Sequence, residues 1–80
     1  MTTIKIKWHH KKNCNEYTAS VVGDEQGVCA RITQTNDLRW SARVDIYVEG
    51  KWYCNNRGQF PNVTTAKIWV KCEINTAYRK

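Results

Sequence analysis

Between Leu38 and Val48 the chain alternates without a break. Leu38, Trp40, Ala42, Val44, Ile46 and Val48 take the even positions, and Arg39, Ser41, Arg43, Asp45 and Tyr47 the odd ones. Successive side chains of an extended strand point to opposite sides of a sheet, so this run reads as one long strand with a dry face and a wet face. A helix cannot use the pattern, because a period of two scatters apolar groups all round the helical cylinder. Such a strand needs neighbours for its backbone groups and a second layer for its dry face.

The flanking sequence supplies neighbours. Ile4, Ile6 and Trp8 alternate with Lys5 and Lys7, and Tyr17, Ala19 and Val21 form a second short run. Between them, His9 to Glu16 is polar and reads as a loop. Gly23-Asp24-Glu25-Gln26-Gly27 reads as a turn, with glycines available for positive φ. Val28, Ala30 and Ile32 then alternate with Cys29, Arg31 and Thr33, and Thr35-Asn36-Asp37 turns the chain into the long run. Beyond it, Glu49-Gly50 marks a hairpin. A three-residue loop with Gly50 left-handed pairs Tyr47 with Lys51, sending Trp52 and Cys54 to the dry face and Lys51 and Tyr53 to the wet one. A two-residue turn would exchange those faces. Asn55-Asn56-Arg57-Gly58 reads as a loop.

The second layer is a helix. Asn62 is a suitable N-cap with Pro61 just outside it. Val63, Ala66, Val70, Ile74 and Ala77 follow at helical spacing with Trp69 beside them, while Lys67, Lys71 and Glu73 lie off that stripe. Lys71, Arg79 and Lys80 suit the negative pole at the helix end. The expected fold is α+β, one domain over residues 1–80. A four- or five-stranded, mostly antiparallel sheet carries one C-terminal amphipathic helix packed on one face. Trp40 is expected at the centre of the core, beneath Val63, Ala66 and Val70.

Catalytic signatures are missing from the sequence. It has no GxSxG, P-loop or HExxH pattern, and its seven carboxylates are scattered. Cys14 lies near His9 and His10, the makings of a thiol–imidazole pair, and His10 is of a type used by small ribonucleases; nothing supplies the second acid or base. Adjacent residues on a strand face opposite ways, so the two histidines do not converge on a metal. Cys14, Cys29, Cys54 and Cys72 are too widely spaced for a CxxC half-site. No apolar run approaches the ~20 residues of a membrane span, and Met1-Thr2-Thr3-Ile4-Lys5 lacks a signal-peptide pattern. A cytoplasmic binding protein with free thiols is expected, with no enzyme activity, cofactor, metal, membrane or small-molecule substrate.

Charge placement points to a surface. Lys and Arg number 13 against 7 Asp and Glu, a net charge of +6. By parity the wet face gathers Lys5, Lys7, Arg31, Arg39, Arg43 and Lys51, with Tyr47 and Tyr53 interleaved and Asp45 as its one carboxylate. The solvent side of an antiparallel sheet is normally polar, so the signal is the single sign, not the polarity. Cations among aromatics suit a phosphate backbone with bases to stack on, or an acidic protein patch. These eight residues are the candidate partner-binding set.

The stretch Gly58-Gln59-Phe60-Pro61-Asn62-Val63-Thr64-Thr65-Ala66-Lys67 resembles the sheet-to-helix passage of plant ethylene-response DNA-binding domains and integrase arm-binding domains. That resemblance implies a sheet laid in the DNA major groove through Arg39, Arg43 and Lys51. In size and texture, rather than by any shared motif, the whole chain resembles accessory proteins of phages and mobile elements, anti-CRISPR proteins prominent among them. This second resemblance implies a stoichiometric inhibitor. Its basic face would cover an acidic patch or exposed guide RNA on a host nucleoprotein effector complex. The alternative is a small module that binds DNA or RNA directly with the same face.

Overall fold

The computed structural model describes residues 4–24 and 26–79. Residues 1–3, the Glu25 position of the expected turn, and Lys80 at the expected helix end lie outside the described residues. Five strands, β1 (Ile6–Lys11), β2 (Glu16–Val21), β3 (Val28–Gln34), β4 (Trp40–Val48) and β5 (Lys51–Phe60), precede one helix, α1 (Val63–Arg79). The strands lie side by side in chain order as a single sheet. Every neighbouring pair is antiparallel. Pairing each strand with its sequence neighbour keeps every closing loop short, where loop entropy costs least. The result is the expected α+β fold, with β1 and β5 as the free edges.

One face of the sheet is covered. α1 lies chiefly on β4 and reaches β5 and β3. Its buried side is the stripe Ala66, Val70, Ile74 and Ala77, set against Ala30, Ile32, Ala42, Val44 and Ile46. The helix starts where the sequence places it: Thr65 donates its N–H to Asn62 Oδ1 at 2.8 Å and its hydroxyl to the same oxygen at 2.9 Å. Phe60 packs beside Trp69, ring centroids 5.8 Å apart, just before the cap. Trp40 is not central. It is half-buried at the start of β4, edge-on to Tyr17 at 5.9 Å, and Val44 and Ile46 take the middle of the core.

The Glu49-Gly50 turn departs from the favoured three-residue reading. Val48 pairs with Lys51 and Tyr47 with Trp52 across a two-residue turn. Glu49 (φ 51°) and Gly50 (φ 80°) are both left-handed, the geometry whose twist matches that of the flanking strands. That match outweighs the modest cost of a left-handed Glu. Every β5 side chain up to the next irregularity therefore sits on the face opposite to the one expected. Tyr53 turns to the helix and donates its hydroxyl to Glu73 at 2.8 Å. Trp52 and Cys54 stand on the open face.

Two slips of register adjust the remaining faces. β2 and β3 lose step between Ala19 and Ser20, which face Ala30 and Val28 and leave Cys29 as the extra residue. Cys29 consequently joins Ala30 in the core at 1% exposure, and Val28 is turned out at 55%. The β4–β5 pairing shifts between Trp40 and Ala42. Gln59 takes a left-handed φ of 63° there and returns Phe60 to the core side. Neither expected polar loop is a loop throughout. β1 continues through His9 to Lys11, which pairs with Glu16 across a 3-10 turn at Lys12–Cys14. β5 runs on through Asn55 to Gly58, where both faces meet water and alternation has nothing to report.

Candidate functional site

The sheet face away from α1 is open. The pairing register places His9, Thr18, Arg31, Arg43 and Asn56 in one row across all five strands. Lys11, Glu16, Thr33 and Ser41 form the next row. Arg31 lies directly opposite Arg43, and two like charges so placed repel. Each is relieved by a carboxylate on the same face. Arg31 Nε meets Glu16 Oε1 at 3.0 Å, and Arg43 Nε meets Asp45 Oδ2 at 2.7 Å. Both guanidinium groups remain largely exposed. Between them runs a shallow groove lined by Val28, Arg31, Thr33, Ser41, Arg43 and Asp45.

An aromatic pair stands at one end of this face. Tyr47 and Trp52 meet edge to face with centroids 5.3 Å apart. Trp52 is 66% exposed, large for an indole without a covering group. β4 is held from the side at Tyr47 by Gln26. Tyr47 donates its N–H to Gln26 Oε1 at 2.7 Å, and Gln26 Nε2 donates to the Tyr47 carbonyl at 3.1 Å. The amide thus continues the ladder of β3 by a side chain. Gln26 is itself fixed by Asp24, whose carboxylate accepts from the Gln26 backbone N–H at 3.1 Å and from Nε2 at 2.8 Å. Tyr78 at the end of α1 donates its hydroxyl to the same carboxylate. The hydrogen bonds from Tyr78 and then Gln26 hold the Asp24 carboxyl below its usual range. Burial and the facing Asp24 push the Tyr78 hydroxyl up.

The structure brings Lys7, Arg31, Arg43 and Tyr47 together on the open face. Lys5 stands in the lead-in to β1. Three expected residues leave the set. Arg39 is in the turn, where its carbonyl accepts the Thr35 N–H at 2.7 Å, because the loop around Leu38 (φ 64°, 75% exposed) delays β4 to Trp40. Lys51 and Tyr53 belong to the helix side, for the turn geometry given above. Trp52, His9, Lys11, Glu16 and Asn56 join it. Glu16 matters most, since Asp45 is not the face's single carboxylate. A two-residue turn puts Trp52 on this face; Asn56 follows once β5 runs past Asn55, His9 and Lys11 once β1 runs to Lys11, and Glu16 once β2 begins there.

Two of the thiols are held back from ionising. Cys29 is buried, which pushes its thiol up to about 11. Cys54 faces Asp45, whose carboxylate raises its thiol by accepting a hydrogen bond. Both shifts oppose thiolate formation. All four cysteines are unpaired. His10 stacks flat on Tyr17 at 4.1 Å, whereas His9 faces the other way. Among the described residues no three His, Cys, Asp or Glu side chains are grouped to hold a metal ion, and no helix is long and apolar enough to cross a membrane.

Fold and face together define a two-layer α+β domain with a cationic, aromatic sheet surface left uncovered. Compared with models of protein families, with curated proteins and with solved structures, the chain matches none.

Proposed function

We propose that this chain is a non-enzymatic docking protein that acts stoichiometrically. In this reading its open sheet face covers a protein patch on a nucleoprotein effector complex, as an inhibitor of the anti-CRISPR type would. The observation that carries the reading is the association of Trp52 and Tyr47 with Arg31 and Arg43 on one uncovered surface. Trp, Tyr and Arg are the residue types that dominate protein–protein hot spots. The two ion pairs favour a protein partner over bare phosphate. An arginine already holding a carboxylate gains less from a phosphate, while a face of both signs can meet a protein surface of both signs.

The test is co-elution of the purified protein with guide-loaded CRISPR effector complexes, alongside a phage plaque assay. Arg31→Gln with Arg43→Gln is expected to abolish the complex. The matched control, Lys12→Gln with Arg79→Gln, lowers net charge equally at exposed sites elsewhere and is expected to leave it intact. Equal loss in both would reduce the effect to net charge. If the wild-type protein neither co-elutes nor protects phage, the reading is wrong.

A second reading, direct binding of DNA or RNA, is favoured by the cation excess of the face. Lys7, Lys11, Arg31 and Arg43 stand against Glu16 and Asp45. Its mark is affinity for naked nucleic acid that falls steeply with salt. A labelled duplex and a single strand that both fail to shift at low salt would exclude it.

A further inference from the structure

Among the described residues no strand pairs with the outer edge of β1, which runs beside an apolar groove. Val22 donates its N–H to the Lys5 carbonyl at 2.9 Å, so Lys5 is a position whose backbone faces β2. Along an antiparallel ladder such positions alternate with ones whose N–H and C=O point away. Lys7, His9 and Lys11 therefore share the inward sense of Lys5, and Ile6, Trp8 and His10 turn their backbone groups to the free edge. The side chains of these three lie on the helix side, opposite Val21, Ala19 and Tyr17. Lys7 and His9 between them, and Lys5 and Lys11 on either side, lie on the open side.

The helix leaves that flank half-covered. Because α1 sits over β4, β5 and β3, Ile4, Ile6 and Trp8 are only half-buried. With Val22 and Lys71 they line an open groove of about 560 Å³. Beside it Lys67 from α1 lies over two rings of this flank, its Nζ 5.1 Å from the centroid of Trp8 and 4.5 Å from that of Tyr17. The cations at the groove are Lys5, Lys7 and Lys71, and none of the lining residues is acidic.

We propose that β1 receives an extended acidic segment of another protein as an added strand. Residues directly opposite each other in a sheet share a face. Apolar side chains opposite Ile6 and Trp8 would fill the groove, and carboxylates at the alternate positions would meet Lys5, Lys7 and Lys11. The recognised pattern is thus acidic and apolar in strict alternation, with backbone hydrogen bonds to Ile6, Trp8 and His10. Charge complementarity selects this occupant over a second copy, since pairing β1 with β1 sets lysine against lysine. Edge lysines alone would only guard against self-pairing. The groove behind them gives an incoming strand something to bury. The opposite edge is less suited, because the left-handed Gln59 breaks the regularity of β5.

The experiment is an amide-resolved NMR titration of the full-length ¹⁵N-labelled protein with a blocked heptapeptide alternating leucine and glutamate. The same peptide with lysine for glutamate is the control. Saturable shifts and exchange protection are expected at the Ile6, Trp8 and His10 amides, with the lysine peptide binding about tenfold or more weakly. Lys5→Glu with Lys7→Glu changes side chains that project into water and is expected to reverse the preference. Four outcomes of the titration would overturn the proposal. They are no saturable shift at β1 up to about 1 mM peptide, the level of a very weak contact; equal binding of both peptides; shifts confined to the Arg31–Arg43 row; and a reversed variant that still prefers the acidic peptide. A dimer that protects the same amides without peptide would give the edge to a second copy and overturn it equally.

Discussion

Replacing Trp52 with threonine tests the hairpin register and the open face together. At 66% exposure, Trp52 buries about a third of its surface. Taking ~250 Å² for a whole tryptophan, that is roughly 85 Å², or about 2 kcal/mol at ~25 cal/mol per Å². Residual compactness of the unfolded chain lowers the figure by 10–40% or so. Threonine keeps part of the contact and the strand preference, so the expected loss is about 1–1.5 kcal/mol. For a chain of this size that is a fall in Tm of roughly 5–10 °C. Ile46→Thr is the internal standard. Ile46 is fully buried, and the change both removes packed carbon and buries a hydroxyl, for about 3–4 kcal/mol. That approaches the entire stability of a small domain, roughly 5 kcal/mol. Thermal melts followed by circular dichroism, with co-elution in parallel, separate the outcomes. The structure requires Trp52→Thr to stay folded, and the proposed docking role of the open face requires it to lose its partner. If it unfolds as completely as Ile46→Thr, Trp52 is a core residue and the two-residue turn is wrong.

Three further outcomes are expected. Asn62→Ala should lower stability by about 1 kcal/mol in urea titrations, the usual value of an N-cap, and no change would mean the Thr65 bonds contribute nothing. Asp24 carries a folded-state pKa depressed below its unfolded value, so its contribution is present above the unfolded pKa, about 3.9, and is lost as pH falls through the folded one. The stability gap between wild type and Tyr78→Phe should therefore narrow on acidification from neutral pH to about pH 2, and a constant gap would uncouple the pair. Cys72 is exposed and should react with a disulfide reagent in the native protein faster than Cys54, while Cys29 stays silent. Asp45→Asn should speed Cys54, and an unchanged rate would show that Asp45 does not restrain the thiol.

Much of this architecture is local and therefore legible in the chain itself. The alternation around Val44 and Ile46, the stripe from Ala66 to Ala77 and the Asn62 cap each depend on residues a few positions apart. The physical cause and its sequence mark coincide there. Arg31, Arg43 and Tyr47 reached the open face on the same grounds. What the tertiary structure decided was register. A strand repeats every two residues, so one residue of slip moves a side chain from core to water. The slip at Cys29 exchanged it with Val28, and the turn at Glu49-Gly50 exchanged Trp52 with Tyr53. Neither slip has a local periodic mark, since each is set by how strand twist and a neighbouring strand best fit. The pairing of Arg31 with Glu16 and the reach of Gln26 to Tyr47 join positions 15 and 21 residues apart. They exist only once β2, β3 and β4 lie side by side, because a side-chain contact across strands is a property of their alignment and not of either segment alone.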